Sequence, residues 1–386
     1  MVMAKRSSSS AQSSKLPPSP RLRGAGKAQS FPEGLTFDDV LLLPGFTDFK
    51  RQDADLATVL HPTIKLSLPI ISSPMDTVTE DQMAIAMAAA GGLGVIHRNL
   101  APDKQAAMVK RVKSEGLLVG AAIGVGPDME ERVKLLMAAK ADVIVVDSGH
   151  GHAQAIIDAV KYIKKLSKKT VVMAGNIATA DGAKALIKAG VDILRVGVGP
   201  GSICTTRIVT GMGVPQVTAI VEVAKVTKGT KVTMVADGGI RQMGDMAKAL
   251  ACGAHAVMLG SMLAGHDEAP GEIVTIDDKK YKQYRGMGSV ASMKKGSAER
   301  YGQSKTIPGT KLIAEGVEGL VPAKGKVSDF LYQASGALQS ALYYIGARTV
   351  PDFHKKARFI RITNAGLRES HPHTIRIENT GDSYMI

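Results

Sequence analysis

The segment with the clearest chemical content is the run over residues 197–207, which reads GVGPGSICTTR. Its glycines allow backbone amides to turn inward around a phosphate or an ion, and Ser202 adds a hydroxyl group. Cys204 lies in the same run. A single thiol is more often buried and inert, but a glycine-rich loop flanked by Thr and Arg favours an accessible nucleophile. This run therefore predicts a nucleophilic Cys204 beside an anion-binding loop.

Two more glycine-rich turns carry polar side chains. Residues 237–239 read Asp-Gly-Gly, residues 260–261 read Gly-Ser, and each turn follows a short apolar run. A carboxylate beside glycines suits a sugar diol, while hydroxyl and amide donors suit a phosphate. With Ser202 they predict one site for phosphate and ribose. Cys252, on a helix between Ala251 and Gly253, is instead predicted to be a structural thiol.

The elements that position these turns follow from eight apolar runs, several of which are followed by helical periodicity. The runs are continuous rather than alternating, which indicates parallel strands covered by helices. Eight βα units in succession predict a (β/α)8 barrel, an α/β fold whose active site lies at the carboxyl ends of the strands. Nearly every run ends in Gly or a polar residue, as such a site requires. The runs cover residues 68–72, 93–97, 118–123, 143–147, 171–174, 193–198, 232–236 and 256–259.

Helices are predicted over residues 83–90, 127–139, 183–189 and 327–347. Pro127 suits the first helical position of the second, and the last should be the final barrel helix.

Residues 281–315 are rich in Gly, Ser and Lys and lack apolar periodicity. Connections of this length are commonly lids. We therefore expect residues 281–315 to form a mobile lid on the catalytic face, and we use the word lid for this segment.

Charge and composition divide the chain in two. Residues 1–30 hold six basic and no acidic side chains and eight Ser, which predicts a disordered basic tail ahead of one domain over residues 31–386. A transit peptide is the alternative for this tail. The remaining positive charge is diffuse, and the chain has 4% aromatic residues and no Trp. Nucleic acid is therefore not expected as the primary partner.

Two function classes are disfavoured by the apolar and sulfur content. The longest run without polar side chains covers 14 residues, over positions 83–96, which is too short to cross a bilayer, so no membrane partner is expected. Two cysteines are too few for a disulfide framework and favour a reducing compartment. We therefore expect a cytoplasmic protein.

Taken with further motifs, these turns resemble the inosine monophosphate (IMP) dehydrogenase and guanosine monophosphate (GMP) reductase family, and within it the dehydrogenases. The resemblance runs from about residue 35 to about residue 371. It rests on the Cys204 run, on Arg300-Tyr301, and on residues 35–40 (LTFDDV), 72–78 (SSPMDTV), 237–240 (DGGI) and 284–289 (YRGMGS). The main departure is the connection over residues 100–118, which leaves no room for the CBS-domain pair that the family usually inserts there. Regulation through that pair is therefore not expected.

The resemblance implies oxidation of IMP to xanthosine monophosphate with reduction of NAD, a step of guanine nucleotide biosynthesis. Cys204 would attack the purine C2 and hold a covalent intermediate. Arg300 on the lid would then activate water, with Tyr301 and Thr206 beside it. Glu315 is a further candidate for proton relay, at a position where some members of the family carry Gln.

The same resemblance implies three sets of binding residues. The substrate would meet Ser73, Met75, Ser202, Asp237, Gly238, Gly239, Gly260, Ser261, Tyr284, Gly286, Met287, Gly288 and Glu315. The NAD side would be lined by Asp147, Ser148, Asn176, Arg195, Gly197 and Gly199. Potassium would be held by carbonyls of Gly199, Gly201 and Cys204, with Glu369, Ser370 and His371 from a neighbouring chain, which implies a homotetramer.

Several alternatives remain open. GMP reductase shares the barrel and the Cys loop, although Arg300-Tyr301 and the long lid favour the dehydrogenase. A non-catalytic purine-nucleotide-binding barrel is the alternative from another class. Asp147 by itself could be a strand-end turn residue. His97 and Arg98 are expected to form polar rim, and His150 and His152 have a metal-like spacing without a third ligand.

Overall fold

The computed structural model describes residues 31–304, 306, 308 and 311–378, so the predicted tail over residues 1–30 is outside the part described. The compact unit that carries the barrel begins at Leu35. Three short strands precede the barrel: β1 (Val40–Leu42), β2 (Thr58–His61) and β3 (Ile64–Leu66). Strands β2 and β3 form an antiparallel hairpin.

Eight parallel strands close into a barrel, as the apolar runs predicted. Each strand pairs with its sequence neighbour, and the last pairs with the first, between Leu259 and Ser72. The strands are β4 (Ile70–Ser72), β5 (Leu93–Ile96), β6 (Val119–Ile123), β7 (Val143–Asp147), β8 (Val171–Ile177), β9 (Ile193–Val196), β10 (Thr233–Asp237) and β11 (Ala256–Leu259).

The barrel strands are apolar throughout because both of their faces are buried. One set of side chains, including Val145 and Met258, packs in the interior together with Leu60 and Ile64 of the β2–β3 hairpin. The alternate set, including Val146 and Leu259, packs outward against the helices. This double burial leaves no solvent-facing position on which polar residues could alternate.

Helices surround the barrel, and the predicted ones are present with shifted ends. Pro127 was predicted at the first helical position of its helix, which is wrong: it lies in a turn, and the helix begins at Met129 after Asp128 as N-cap. The helices up to the last strand are α1 (Asp81–Ala89), α2 (Pro102–Ser114), α3 (Met129–Ala138), α4 (Gln154–Leu166), α5 (Ala180–Ala189), α6 (Thr206–Thr210), α7 (Gln216–Thr227) and α8 (Met243–Ala251). None of the helices in the described part of the chain is long and apolar enough to cross a membrane.

A small antiparallel sheet, which the sequence analysis did not predict, stands at the base of the lid. It is built from β12 (Ile273–Ile276), β13 (Lys279–Arg285) and β14 (Glu318–Pro322). Residues 281–285, assigned to an irregular lid, therefore belong to a strand. The apolar pattern missed them because Lys282 is buried, with its ammonium donating to backbone carbonyls of His266, Asp267 and Ala269 at 2.8–3.1 Å.

The remaining elements complete the ring and join the chain ends. They are α9 (Val290–Ser292) in the lid, α10 (Val327–Ile345), α11 (Val350–Lys356), β15 (Phe359–Arg361) and α12 (Asn364–Glu369). Helix α10 packs between α8 and α1, which is the position predicted for the final barrel helix. Strand β15 pairs antiparallel with β1.

Candidate active site

Cys204 stands on the loop after β9, at the carboxyl end of the barrel. Its Sγ lies 3.2 Å from Oγ1 of Thr206, and that hydroxyl donates a 2.8 Å hydrogen bond to a carboxylate oxygen of Glu315. Cys204 also forms an isolated antiparallel bridge with Gly316, so the end of the lid lies beside the thiol. The Cys204 side chain is half-buried. The three side chains form a row that can carry a proton between the nucleophile and a carboxylate.

The second thiol has a different environment. Cys252 is buried at the C-terminal end of α8, and burial raises its pKa to about 12. A thiol with such a pKa carries almost no thiolate near neutral pH. Cys252 is therefore inert, in line with its predicted structural role.

A cluster of hydroxyl groups lies across the cavity from the thiol. The hydroxyl of Tyr284, near the end of β13, hydrogen-bonds with the side chains of Ser202 and Ser261. Burial raises the pKa of Tyr284 to about 12, so its hydroxyl keeps its proton. A Cβ atom on Gly260 would lie 3.1 Å from that hydroxyl, which leaves little room for a side chain. Neutral donors from two loops and one strand thus converge on one point, an arrangement suited to a phosphate.

Asp237 ends β10 in the middle of the barrel mouth. Its Oδ2 accepts hydrogen bonds from Nδ2 of Asn176 at 2.6 Å and from Nε of Arg195 at 2.9 Å. Gly238 and Gly239 follow with φ of 87° and 77°, a left-handed conformation that favours glycine. This turn places the carboxylate next to the hydroxyl cluster, where it suits the hydroxyls of a ribose.

A network of buried charges lies on the other side of the mouth. Asp147, at the end of β7, accepts hydrogen bonds at Oδ1 from both Arg195 and Arg300. Nε of Arg98 lies 3.9 Å from Oδ2 of Asp147. The Asp147 side chain is fully buried, and its Oδ2 accepts no hydrogen bond from any described residue. One carboxylate is therefore shared by three arginines that come from distant parts of the sequence.

The prediction that His97 and Arg98 form polar rim is wrong. Their exposed fractions are only 3% and 7%. His97 pairs with Glu80 at 3.2 Å, and the Arg98 guanidinium lies over Gly124, where a Cβ would come within 2.6 Å of it. This space depends on Gly124, which directly follows β6, so the residues around positions 97–98 alone gave no sign of it.

Arg300 lies against the barrel mouth, where a backbone contact of the lid holds it. The backbone N–H of Gly149 donates to the Arg300 carbonyl at 3.2 Å. Burial lowers the pKa of the Arg300 guanidinium, and the charge of Arg98 adds to the decrease while Tyr301 opposes it. Burial raises the pKa of Tyr301, which Arg300 partly offsets. A guanidinium with a lowered pKa is better suited to exchanging a proton than an exposed arginine.

Most of the predicted site residues surround a single cavity of about 600 Å³. Those that line it are Ser73, Met75, Asn176, Arg195, Gly197, Gly199, Gly201, Ser202, Cys204, Thr206, Asp237, Gly238, Gly239, Gly260, Ser261, Tyr284, Gly286, Met287, Gly288, Arg300, Tyr301 and Glu315. Asp147 and Ser148 lie behind this lining. Glu369, Ser370 and His371 are exposed at the end of α12 and do not line the cavity.

The predicted sites for NAD and potassium can be compared with the side-chain and backbone oxygens that the structure places there. Oδ1 of Asn176 and Oδ2 of Asp147 are buried and lack a hydrogen-bond partner among the described residues. Asn176 lines the cavity, so an amide N–H group such as that of a nicotinamide carboxamide would satisfy its Oδ1, whereas Asp147 lies outside the lining. This side of the cavity therefore fits NAD through Asn176. Backbone carbonyls of a glycine-rich loop, as at Gly199 and Gly201, are ligands that suit potassium. No cluster of three His, Cys, Asp or Glu side chains exists in the described chain, so His150 and His152 have no third ligand there.

Sequence reasoning gave no role to several residues that organise the site. Arg98 and Glu299 were not assigned to it, and Asp76 and Arg285 appeared only inside motifs. Asp38 and Arg241 form an ion pair that also lines the cavity. Three of these residues, Asp76, Arg98 and Arg241, follow the ends of β4, β5 and β10 within four residues. This was a usable signal, because residues after barrel strands face the catalytic side.

Comparisons with known proteins agree with these features. A family model described as "IMP dehydrogenase / GMP reductase domain" matches residues 34–373. An inosine-5'-monophosphate dehydrogenase of Aquifex aeolicus is 38% identical over 483 aligned positions, covering 92% of this chain and 98% of the relative. One from Bacillus subtilis is 37% identical, again covering 92% and 98%. One from Borreliella burgdorferi is 41% identical over 393 positions, covering 89% of this chain and 97% of the relative.

The lengths of these alignments differ in an informative way. The alignment with the Aquifex relative is longer than the 386 residues of this chain, so that relative contains residues that have no counterpart here. The alignment with the Borreliella relative is close to the length of this chain. The similar proteins therefore include a long and a short form, and this chain is of similar length to the short one.

Proposed function

Because the chain belongs to the IMP dehydrogenase and GMP reductase family, we propose that it oxidises IMP to xanthosine monophosphate with reduction of NAD, within guanine nucleotide biosynthesis. The observation that carries this proposal is the pairing of two groups across one cavity. The row of Cys204, Thr206 and Glu315 faces the hydroxyl cluster of Ser202, Ser261 and Tyr284. A nucleoside monophosphate held by its phosphate at the cluster would present its base to the thiol.

In this proposal, binding depends on neutral donors and one carboxylate. Ser202, Ser261 and Tyr284 donate to the phosphate, and Asp237 accepts from the ribose hydroxyls. Asp237 is already oriented by Asn176 and Arg195, so little reorganisation is needed when the substrate enters.

The first chemical step forms a covalent bond to the enzyme. Sγ of Cys204 attacks C2 of the purine, and the hydrogen on C2 departs with its electron pair as hydride. NAD, when bound, accepts that hydride. Asn176, whose Oδ1 has no partner among the described residues and which lines the cavity, orients the group that takes part in the transfer, and Asp147 supports it from behind the lining through Arg195. The purine remains attached to Cys204.

The second step releases the product. In its neutral form, with one guanidinium proton already lost, Arg300 takes a proton from a water molecule, the water oxygen bonds to C2, and the bond between C2 and Sγ breaks to return the Cys204 thiolate. Thr206 and Glu315 offer a second route for a proton. Oγ1 of Thr206 lies 3.2 Å from the sulfur and donates to the Glu315 carboxylate. The lowered pKa of Arg300 supports this role, since an arginine at its ordinary pKa would not give up its proton near neutrality.

Further parts of the proposal concern the surroundings of the site. The carbonyls of Gly199, Gly201 and Cys204 would hold potassium, and the exposed residues 369–371 would complete the site of a neighbouring copy in a homotetramer. We propose a cytoplasmic location, because two cysteines without a disulfide framework favour a reducing compartment.

The chain is also proposed to lack the CBS-domain pair. Helix α2 (Pro102–Ser114) occupies the connection between β5 and β6. Its buried Gln105 donates to carbonyls of His97 at 2.9 Å and Ala122 at 2.8 Å, which ties the helix to the ends of both strands. The connection is thus filled by an ordinary barrel helix.

Absorbance at the reduced-nicotinamide band tests the function. IMP with NAD should give an increase that depends on potassium. GMP with a reduced nicotinamide cofactor should give no decrease, and a decrease would instead identify a GMP reductase. No change with either pair would favour a non-catalytic nucleotide-binding barrel. Cys252→Ser serves as the matched thiol control and should retain full activity, because Cys252 is buried in α8.

A further inference from the structure

Two pairs of opposite charges face each other where the lid meets the barrel, and of these Arg300 and Asp147 are in direct contact, whereas Glu299 and Arg98 interact at longer range. On the lid, Glu299 and Arg300 are adjacent in sequence. Beneath them, Arg98 and Asp147 stand at the ends of the barrel strands β5 and β7. Arg300 donates to Asp147, and among the charges that act on Arg98 the largest effect comes from Glu299, which raises the pKa of Arg98 against the decrease caused by burial. Asp128 and Tyr301 raise it further.

The barrel provides fitted space for this contact at the end of β6. A Cβ on Gly126 would lie 1.9 Å from Oε2 of Glu299, and a Cβ on Gly124 would lie 2.6 Å from Nη1 of Arg98. Any larger residue at either glycine would displace a charged side chain. The contact surface therefore consists of the ends of β5, β6 and β7, which are neighbours in the barrel.

The charges of these four residues balance whether the lid lies against the barrel or away from it. The lid pair is neutral as a whole, and so is the barrel pair, so closing the lid leaves no net charge in a buried site. The order of signs also matters: Glu299 acts on Arg98 through its charge and Arg300 donates to Asp147, whereas a shift by one residue would bring like charges together. When the lid leaves, Arg98 and Asp147 still have each other at 3.9 Å.

We propose that Arg98 is a positioning residue that, with Asp147, holds the lid closed through Glu299 and so places Arg300 for the water step. This role rests on the proposed IMP oxidation. Arg98 touches neither the thiol nor the hydroxyl cluster, so it acts through the lid and leaves the hydride step alone.

The kinetic test uses Arg98→Met, Glu299→Gln and the double variant. Each single variant should keep the first-turnover burst of reduced NAD, lose about tenfold in steady-state turnover, and be inhibited by lower concentrations of NAD, because the lid is open more of the time. The double variant should be no worse than either single one. Arg98→Lys should recover part of the turnover. Glu318→Gln, an exposed carboxylate on β14, is the matched control and should behave like the wild type.

Additive losses of turnover in the double variant, or a burst lost in parallel with turnover, would overturn the proposed role of Arg98 in holding the lid closed. Either result would indicate that Arg98 is merely structural. A readout independent of catalysis separates the two proposals. Lys294 and Lys295 are exposed in the lid, so trypsin cleavage after them, followed by mass spectrometry of the peptides, should become faster in Arg98→Met and Glu299→Gln. If wild type failed to oxidise IMP but cleavage accelerated, the proposed function would be wrong and the lid contact right; unchanged cleavage would reject the contact.

Discussion

Arg285 and Asp76 form a buried bidentate ion pair that fastens the start of the lid to the barrel. Nη2 of Arg285 lies 2.7 Å from Oδ2 of Asp76, and Nε lies 3.0 Å from Oδ1. Both side chains are less than one-tenth exposed. Asn99 adds a second link, since its Nδ2 donates to Asp76 at 3.1 Å and to Oγ of Ser292 at 2.9 Å. These contacts fix the base of the lid to the barrel.

Asp76→Asn should destabilise the protein by about 3 kcal/mol, because it leaves Arg285 buried without a compensating charge. Thermal unfolding followed by circular dichroism measures the change. Asp48→Asn is the control, since its ion pair with Arg348 is exposed and should contribute little. Equal effects of the two variants would contradict the anchoring role.

Cys204→Ser should abolish turnover while nucleotide binding remains close to that of the wild type. A hydroxyl at its ordinary pKa is a far poorer nucleophile than a thiolate. Mass spectrometry of the wild type under turnover should find an adduct of nucleotide mass on the peptide that contains Cys204. An adduct on Cys252, or product formation without any adduct, would reject the assignment.

Arg300→Ala should separate the two chemical steps. Reduced NAD should still appear in a rapid burst equal to one turnover, followed by very slow release of xanthosine monophosphate, because the hydride step does not use Arg300. The covalent intermediate should accumulate on Cys204. Loss of the burst itself would show that Arg300 takes part in hydride transfer. Lys295→Gln, an exposed lid residue, is the control for loss of a lid charge.

Acid should destabilise the protein through a histidine pair away from the active site. Burial lowers the pKa of His255 to about 4, and the neighbouring His354 adds to the decrease. The unfolded chain binds a proton near pH 6.5, whereas the folded protein does so only near pH 4, so the free energy of unfolding falls as the pH drops between these values. The loss levels off below pH 4 and amounts to at most about 3 kcal/mol.

Urea unfolding of His255→Asn at pH 7.5 and pH 5 provides the check on this linkage. The variant should lose less stability than the wild type on going to the lower pH, because Asn does not titrate. The same loss in both proteins would mean that other groups cause the acid sensitivity.

Removal of residues 1–30 should leave turnover unchanged. Their composition offers almost no bulky apolar surface with which to dock on a folded domain. Steady-state rates of the full chain and the truncated chain, at equal concentrations of Cys204 thiol, test this. A large loss of activity in the soluble fraction would show that the tail has a structural role.

The eight barrel strands could be predicted from the sequence because a parallel strand buried on both faces must be apolar along its whole length. Strand β7 (Val143–Asp147) illustrates this, since four apolar residues end in one carboxylate at the catalytic side. The run around Cys204 could likewise be recognised, because the loop geometry and the nucleophile are encoded within a few neighbouring residues. Local sequence therefore determined the fold class and the position of the thiol.

The tertiary structure alone decided which charges meet. Asp147 is shared by Arg98, Arg195 and Arg300, which are separated by long stretches of chain, and no local pattern links them. It also decided that Lys282 is buried, since the three carbonyls around its ammonium belong to residues 266–269. Such contacts depend on distances across the closed barrel. The periodicity of a segment reports only which of its own faces is buried, so it cannot show the partners that a buried polar group will find.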